Sequence, residues 1–368
     1  MTGSAGARDG HGGSTDRAEL GEFAAEFPGG SGYLAACTMG IGPASAKAVL
    51  ATDLELWTSG GATVARYEAA ISRSRAAFAR LVHVDAERVA IGSQVSVQAS
   101  VIAAAAPDGA EVLCPLGDFS SIAAPFAQQA HRGVTVRQVP LEALADEVRE
   151  STWLVGFSLV QSATGVPAAA DGVIAAAASH GTRTLVDLTQ SAGWLDFDAG
   201  RADATITHAY KWLCAPRGAS FMTVSERMLG ELRPVQAGWY AGEDIWGSCY
   251  GADLALARDA RRLDVSPAWP AWVGAAESLA LFARVDPGAV FTHNVGLARS
   301  LREALRLPQV DSAIVTWADP GGQAVRAMTD AGLTVSGRAG NARVAFHVWN
   351  DERDVERVVV ALDEVSTR

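Results

Sequence analysis

"TLVDLTQSAGWLDFDAGRADATITHAYKWLCAPRG", residues 184–218, contains one of the two lysines in a chain that carries 28 arginines. Arginine supplies nearly every other cation in this sequence, so lysine at 211 asks for chemistry that a guanidinium does not provide. An ε-amine can lose its proton and become a nucleophile, whereas a guanidinium stays charged. The stretch opens on an aliphatic run ending in Asp187, passes through a polar turn, and resumes as "ATITHA" (204–209). That second run delivers Lys211 into a turn closed by "APRG". Two short apolar runs of this kind predict buried strands, and their carboxyl ends are where an open α/β sheet binds ligands.

Outward from this segment the same alternation continues. Strands are expected at 88–92, 111–116, 134–140, 152–160, 182–188, 204–209 and 219–224. Between them lie alanine-rich helical stretches: "SQVSVQASVIAAAA", "SSIAAPFAQQAH" and "ADGVIAAAASHG" (170–181), the last closed by a glycine suited to a C-terminal cap. Strand–helix alternation implies crossover connections, and hence an α/β fold on a mostly parallel seven-stranded sheet flanked by helices. After "RRLDVSPAW" the pattern changes to helices near 271–284 and 287–306, two shorter strands in "SAIVTW" and "ARVAFHVW", and a final amphipathic helix, "ERDVERVVVALDEV". The expected division is a disordered tail over 1–25, a large domain with an N-terminal arm over 26–265, and a smaller α+β domain over 266–368.

Composition narrows the function classes. Of 368 residues 49% are hydrophobic and 19% charged, enough apolar material for a sizeable core. The net charge of −11 argues against nucleic acid or an anionic membrane as the main partner. Cys37, Cys114, Cys214 and Cys249 form no CxxC pair, so neither a disulfide framework nor a zinc site is expected, and no metal. The first twenty residues are Gly/Ser-rich without an apolar run, which predicts no secretory signal there and a cytoplasmic protein. No GxGxxG or GxxxxGK[ST] follows any predicted strand, which removes the common nucleotide-binding loops.

Three elements carry chemistry. Asp187 and Lys211 end two successive strands, a spacing that suits either a structural ion pair or a ligand crevice. "GSQVSVQAS" places Gly92, Ser93 and Ser96 at a strand-to-helix turn, where free backbone N–H groups can seat a phosphate or the serines simply cap the helix. The other lysine, Lys47 in "GPASAKAVL", has no such setting and reads as a solvated helix residue.

In chain order, "GDFSSIAAPF" (117–126), "DLTQSAG" (187–193), "HAYKWLCAPRG" (208–218) and "ARVAFHVWNDERDVERVV" (342–359) resemble the aminotransferase class V family of pyridoxal-phosphate (PLP) enzymes. The likeness runs from about residue 30 to the end, nearer the kynureninase-like and isopenicillin-epimerase-like members than the cysteine desulfurases. It implies the fold type I architecture and PLP as cofactor. Lys211 is then the Schiff-base lysine and proton carrier, and Asp187 the partner of the pyridine nitrogen. Phe119 stacks on the ring, while Gln190 and Ser162, with Gln161 as fallback, bind its hydroxyl side. Val95, Ser96, Tyr210 and His208 surround the phosphate. Trp239 and Ser266 reach it from a partner subunit, which makes the protein a homodimer. Arg343 is the implied clamp for the substrate carboxylate, with Arg338 and His347 close by in sequence.

Two departures bear on the reaction. Desulfurases need a thiol in the C-terminal part, and the last cysteine here is Cys249. Kynureninases carry histidine where this chain has Gln190. Transamination of an amino acid is the expected outcome, with β-elimination, C–C hydrolysis or epimerisation as alternatives and an inactive binding relative as the alternative of another class. The tryptophan-rich segments 238–251 and 269–272 are expected to build the subunit interface.

Overall fold

The computed structural model describes residues 12–366, with side-chain environments over 19–364. Its helices are α1 (Gly12–Ala25), α2 (Ala44–Ser59), α3 (Val64–Leu81), α4 (Val95–Ala104), α5 (Ser120–Ala127), α6 (Ala170–His180), α7 (Glu226–Glu231), α8 (Trp269–Phe282), α9 (Pro287–Ala304), α10 (Gln323–Asp330) and α11 (Glu352–Ser366). Its strands are β1 (Val89–Gly92), β2 (Glu111–Pro115), β3 (Thr135–Val139), β4 (Thr152–Ser158), β5 (Arg183–Asp187), β6 (Ala204–His208), β7 (Ser220–Val224), β8 (Ile314–Ala318), β9 (Ser336–Arg338) and β10 (Asn341–Ala345).

All seven strands expected between residues 88 and 224 form one sheet, in the order β1-β7-β6-β5-β4-β2-β3. Pairing is parallel except around β7, which runs antiparallel to both β1 and β6. The strands other than the edge strand β3 are short and apolar because both faces are covered. Alternate residues feed two separate cores: Val155, Val186 and Phe221 pack with α3, α6 and α8, while Leu154, Leu185 and Met222 pack with α4, α5 and α7. A second, three-stranded antiparallel sheet, β8-β10-β9, carries α9, α10 and α11 on a core of its own.

One expectation about segmentation changes. Of the tail expected over 1–25, residues 1–11 lie outside the described residues, but 12–25 form α1. The Gly/Ser-rich start conceals an anchor: Phe23 is buried edge-on to Phe27 and Phe282, at 5.6 and 4.9 Å between ring centroids. α8 follows the boundary expected at 265/266. α8 packs on α2 and α3 of the large body, with Trp272 edge-on to Phe221 and Trp269 stacked on Tyr67. Trp272 is therefore core, not interface as expected, because the apolar face of α8 is consumed by its own chain. The smaller body begins with α9 and borrows the arm, where Leu34 joins its core and Tyr33 and Ala35 bridge to Thr334 and Ala345.

Candidate active site

Strand register sets the site. Ser158, Asp187 and Ile206 lie side by side across β4, β5 and β6, and His208, Ser220 and Gly92 across β6, β7 and β1. One edge of the sheet thus brings together Asp187, the turn holding Lys211 and the turn leading into α4. Phe119, at the start of α5, joins this edge because the Asp118 carboxylate accepts from the Ser158 and Phe119 backbone N–H groups, each at 2.7 Å.

Lys211 sits 5% exposed in a turn braced from the N-terminal arm. The Gly40 N–H donates to the Tyr210 carbonyl at 2.9 Å, and a Cβ on Gly40 would stand 2.0 Å from the Lys211 carbonyl oxygen. Only glycine permits that approach. Burial pulls the Lys211 amine down to about 8, against a smaller opposing pull from Asp187. Burial likewise pushes the Asp187 carboxyl up to about 6, opposed by hydrogen bonds from Thr189, whose N–H lies at 2.8 Å. The two charges feel each other, yet no ion pair within 4.0 Å joins them among the described residues. The arrangement is a crevice, not a strand-end salt bridge. Phe119, an unusual 43% exposed, presents its ring centroid 5.2 Å from the Lys211 Nζ.

Gln190 ties three segments together. Its Nε2 donates to the Cys37 carbonyl at 2.9 Å and to the Ser162 Oγ at 3.0 Å, and its Oε1 accepts from the Trp212 Nε1 at 2.9 Å. Ser162, and not its neighbour, faces the site: Gln161 turns away to the Leu116 carbonyl and Thr164. Arg343, 1% exposed, donates to the Ser336 Oγ at 3.1 Å, the Ser162 Oγ at 3.0 Å and the Thr38 Oγ1 at 2.8 Å, and to the Ser162 carbonyl. All these partners are neutral, and no carboxylate lies within 4.0 Å of it among the described residues. The Cys37 thiol, 1% exposed, lies within electrostatic reach of both Arg343 and Lys211.

His208 is held near 4 by burial, with Arg217 and Lys211 adding to the effect, so its ring is neutral at physiological pH. It lies against Tyr210, over which the Arg217 guanidinium stands 4.8 Å from the ring centroid. Gln94, the residue before α4, makes no side-chain capping bond. The first N–H groups around Val95 and Ser96 are therefore left for another acceptor. His347 does not join the carboxylate site. It is fully buried between Trp212 and Trp349, at 5.5 and 4.1 Å, and bonds the Trp212 carbonyl at 3.0 Å. Burial holds it neutral, near 3. Within the chain Trp239 packs on Tyr240 and Trp246, and Ser266 is exposed; neither contacts Lys211. Lys47 is exposed on α2.

Comparison with known proteins agrees with this geometry. Residues 58–320 match the family model for aminotransferase class-V. The chain belongs to that family. Isopenicillin N epimerase of Streptomyces clavuligerus is 24% identical over 80% of this chain and 84% of its own. Kynureninase of Deinococcus radiodurans is 29% identical over 74% of this chain and 70% of its own. The cysteine desulfurase CsdA from Escherichia coli superposes with a TM-score of 0.82 at 16% identity, covering 95% and 98% of the two chains, and so shares the fold. The cystine C-S lyase C-DES gives 0.80 at 21% identity, over 90% and 97%.

The class V cofactor is PLP, and the residues present fit it. A buried amine of depressed pKa suits an aldehyde, and a buried carboxyl without a cation suits a ring nitrogen. The exposed Phe119 ring has no aromatic stacking partner among the described residues, and the uncapped start of α4 offers N–H groups to a phosphate. Sequence reading missed Thr38, Ser336, Thr189 and the thiol of Cys37. Thr189 lies inside "DLTQSAG", and for Cys37 and Thr38 the small-residue run "AACTMGIG" was the available signal; Ser336 lies in no periodic or spaced motif.

Proposed function

We propose that this class V enzyme transaminates an amino acid, held by its α-carboxylate on Arg343. The observation that carries the reading is a buried guanidinium with only neutral partners, facing the same crevice as the depressed Lys211 amine. A buried cation without a counter-charge is costly, and a substrate carboxylate relieves that cost by a bidentate fork. PLP supplies the electron sink that accepts the electron pair left when a bond to the substrate α-carbon breaks. In this reading Asp187 holds the ring nitrogen, Phe119 covers the ring face, and Ser162 with Gln190 flanks its hydroxyl. Val95, Ser96, His208 and Tyr210 hold the phosphate. Lys211 would hold the cofactor aldehyde through Nζ, and the same Nζ would carry the α-proton. With its pKa near 8, about a tenth of the amine is neutral at pH 7. Trp239 and Ser266 complete the site of a second copy, so the active form is a homodimer.

Transamination needs one base that takes a proton from the α-carbon and returns it one carbon away, and among the described residues Lys211 is the one amine in the crevice. The similarity to isopenicillin N epimerase favours a second reading, in which the same Nζ returns the proton to the α-carbon with inverted configuration. Incubating PLP-loaded protein with single L-amino acids in deuterated water, without a keto acid, separates the two. Transamination releases one keto acid per site, converts the cofactor to pyridoxamine phosphate and stops. Epimerisation continues, yields the D-isomer with deuterium at the α-carbon, and leaves the cofactor spectrum unchanged. Neither product with any amino acid overturns both.

A further inference from the structure

The β9–β10 hairpin brings a second arginine to the same cleft. Register pairs Ser336 with Arg343 and Arg338 with Asn341. Side chains alternate along each strand, so Ser336, Arg338, Asn341 and Arg343 leave the sheet on one face. Contacts identify that face: the Ser336 Oγ accepts from the Arg343 Nε at 3.1 Å, and Thr316, opposite Arg343 on β8, donates to the Thr164 carbonyl at 2.9 Å. It is the face turned to the loop after β4 and to the Lys211 crevice. The turn joining the strands is Ala339–Gly340, both left-handed at φ 48° and 77°. A two-residue turn of that hand fixes the register and the direction of its flanking residues. Alanine is strained there, a strain the chain keeps immediately beside Arg338.

Arg338 stands exposed at the rim. It donates to the neighbouring Gly337 carbonyl at 2.9 Å, and no carboxylate lies within 4.0 Å of it among the described residues. Elsewhere Arg66, Arg75, Arg137 and Arg183 each hold a carboxylate. In a chain of net charge −11, two unpaired arginines therefore share one cleft, and the Arg338 charge reaches both Lys211 and Arg343. They leave the hairpin about 7 Å apart along the strand direction, the rise of two residues. Like charges left this close are reconciled by a ligand with two separated negative groups.

We infer that Arg338 binds a second acidic group on the substrate, which is a dicarboxylic amino acid with its α-carboxylate on Arg343. The inference rests on the carboxylate role of Arg343 proposed above. The test is calorimetric titration of the PLP-loaded protein with succinate, glutarate and adipate against butyrate, pentanoate and hexanoate, acids that bind without turnover. One diacid is expected to bind at least about tenfold more tightly than its matched monoacid, as one added charge-assisted contact provides. In Arg338→Gln that ratio falls toward one, and Arg338→Lys keeps part of it. In Arg343→Gln affinity falls for every acid. An Arg338→Gln protein that keeps the wild-type ratio, or a wild type without diacid preference, overturns the inference while loss in Arg343→Gln leaves the carboxylate clamp standing. If Arg343→Gln also binds all acids as the wild type does, the underlying reading falls with it.

Discussion

The burial of Asp187 makes a prediction whose sign differs between the cofactor-free and the loaded protein. Its carboxyl is raised from 3.8 to about 6 by desolvation, so folding favours the protonated form. The stabilising contribution of that protonation is fully present below the unfolded value and is lost as pH rises through about 6. Two pKa units at 1.36 kcal/mol each place the cost at pH 7.5 at up to about 3 kcal/mol. Asp187→Asn keeps the shape and a carbonyl for the Thr189 N–H but carries no charge. Cofactor-free Asp187→Asn is therefore expected to match the wild type near pH 4 and to exceed it at pH 7.5. For a chain of 368 residues the gain corresponds to about 4 °C in Tm. Saturating PLP supplies the missing partner at the ring nitrogen, so the loaded wild type overtakes the loaded variant. Scanning calorimetry from pH 4 to 8, with and without PLP, reads both effects. A cofactor-free variant that is less stable than wild type by the same margin at every pH would refute the reasoning, since the carboxylate would then be a satisfied structural group.

Three further outcomes follow from the same geometry. Arg343→Lys replaces a fork held by Ser162, Thr38 and Ser336 with a point charge, and is expected to lower kcat/KM by about 10–150-fold, the range of one lost charged hydrogen bond, mainly through KM. Gly40→Ala drives a methyl into the Lys211 carbonyl and is expected to cost about 100-fold in kcat with weaker PLP retention, whereas Gly42→Ala, with nothing within 4 Å, stays near wild type in both. Chains carrying Trp239→Ala or Lys211→Ala are each expected to be inactive alone and to regain activity when mixed and reassembled, because one site of a mixed dimer is then intact; no recovery would mean that Trp239 acts in its own chain or not at all.

The large sheet was legible in the sequence because its strands are short runs rich in apolar and β-branched residues punctuated by glycine, proline or a helix, and apart from the exposed edge strand β3 local propensity agreed with burial. Asp187 and Lys211 were legible for the same reason: strand ends are read from the run that precedes them. Residues 12–25 were misjudged because Phe23 outweighs a Gly/Ser-rich background once Phe282 is there to meet it. The packing of α8 on α2 and α3 was not legible because which neighbours an apolar helix covers is not a local property. The site follows this division. The sequence by itself determined the chemistry available: one unusual lysine, a strand-end aspartate and a late arginine. Tertiary structure alone decided that Thr38, Ser162 and Ser336, up to 305 residues apart from Arg343, surround it with neutral oxygens, and that Gly40 presses on Lys211. Those contacts arise where three loops and a hairpin converge, and convergence of distant segments leaves no periodic trace along the chain.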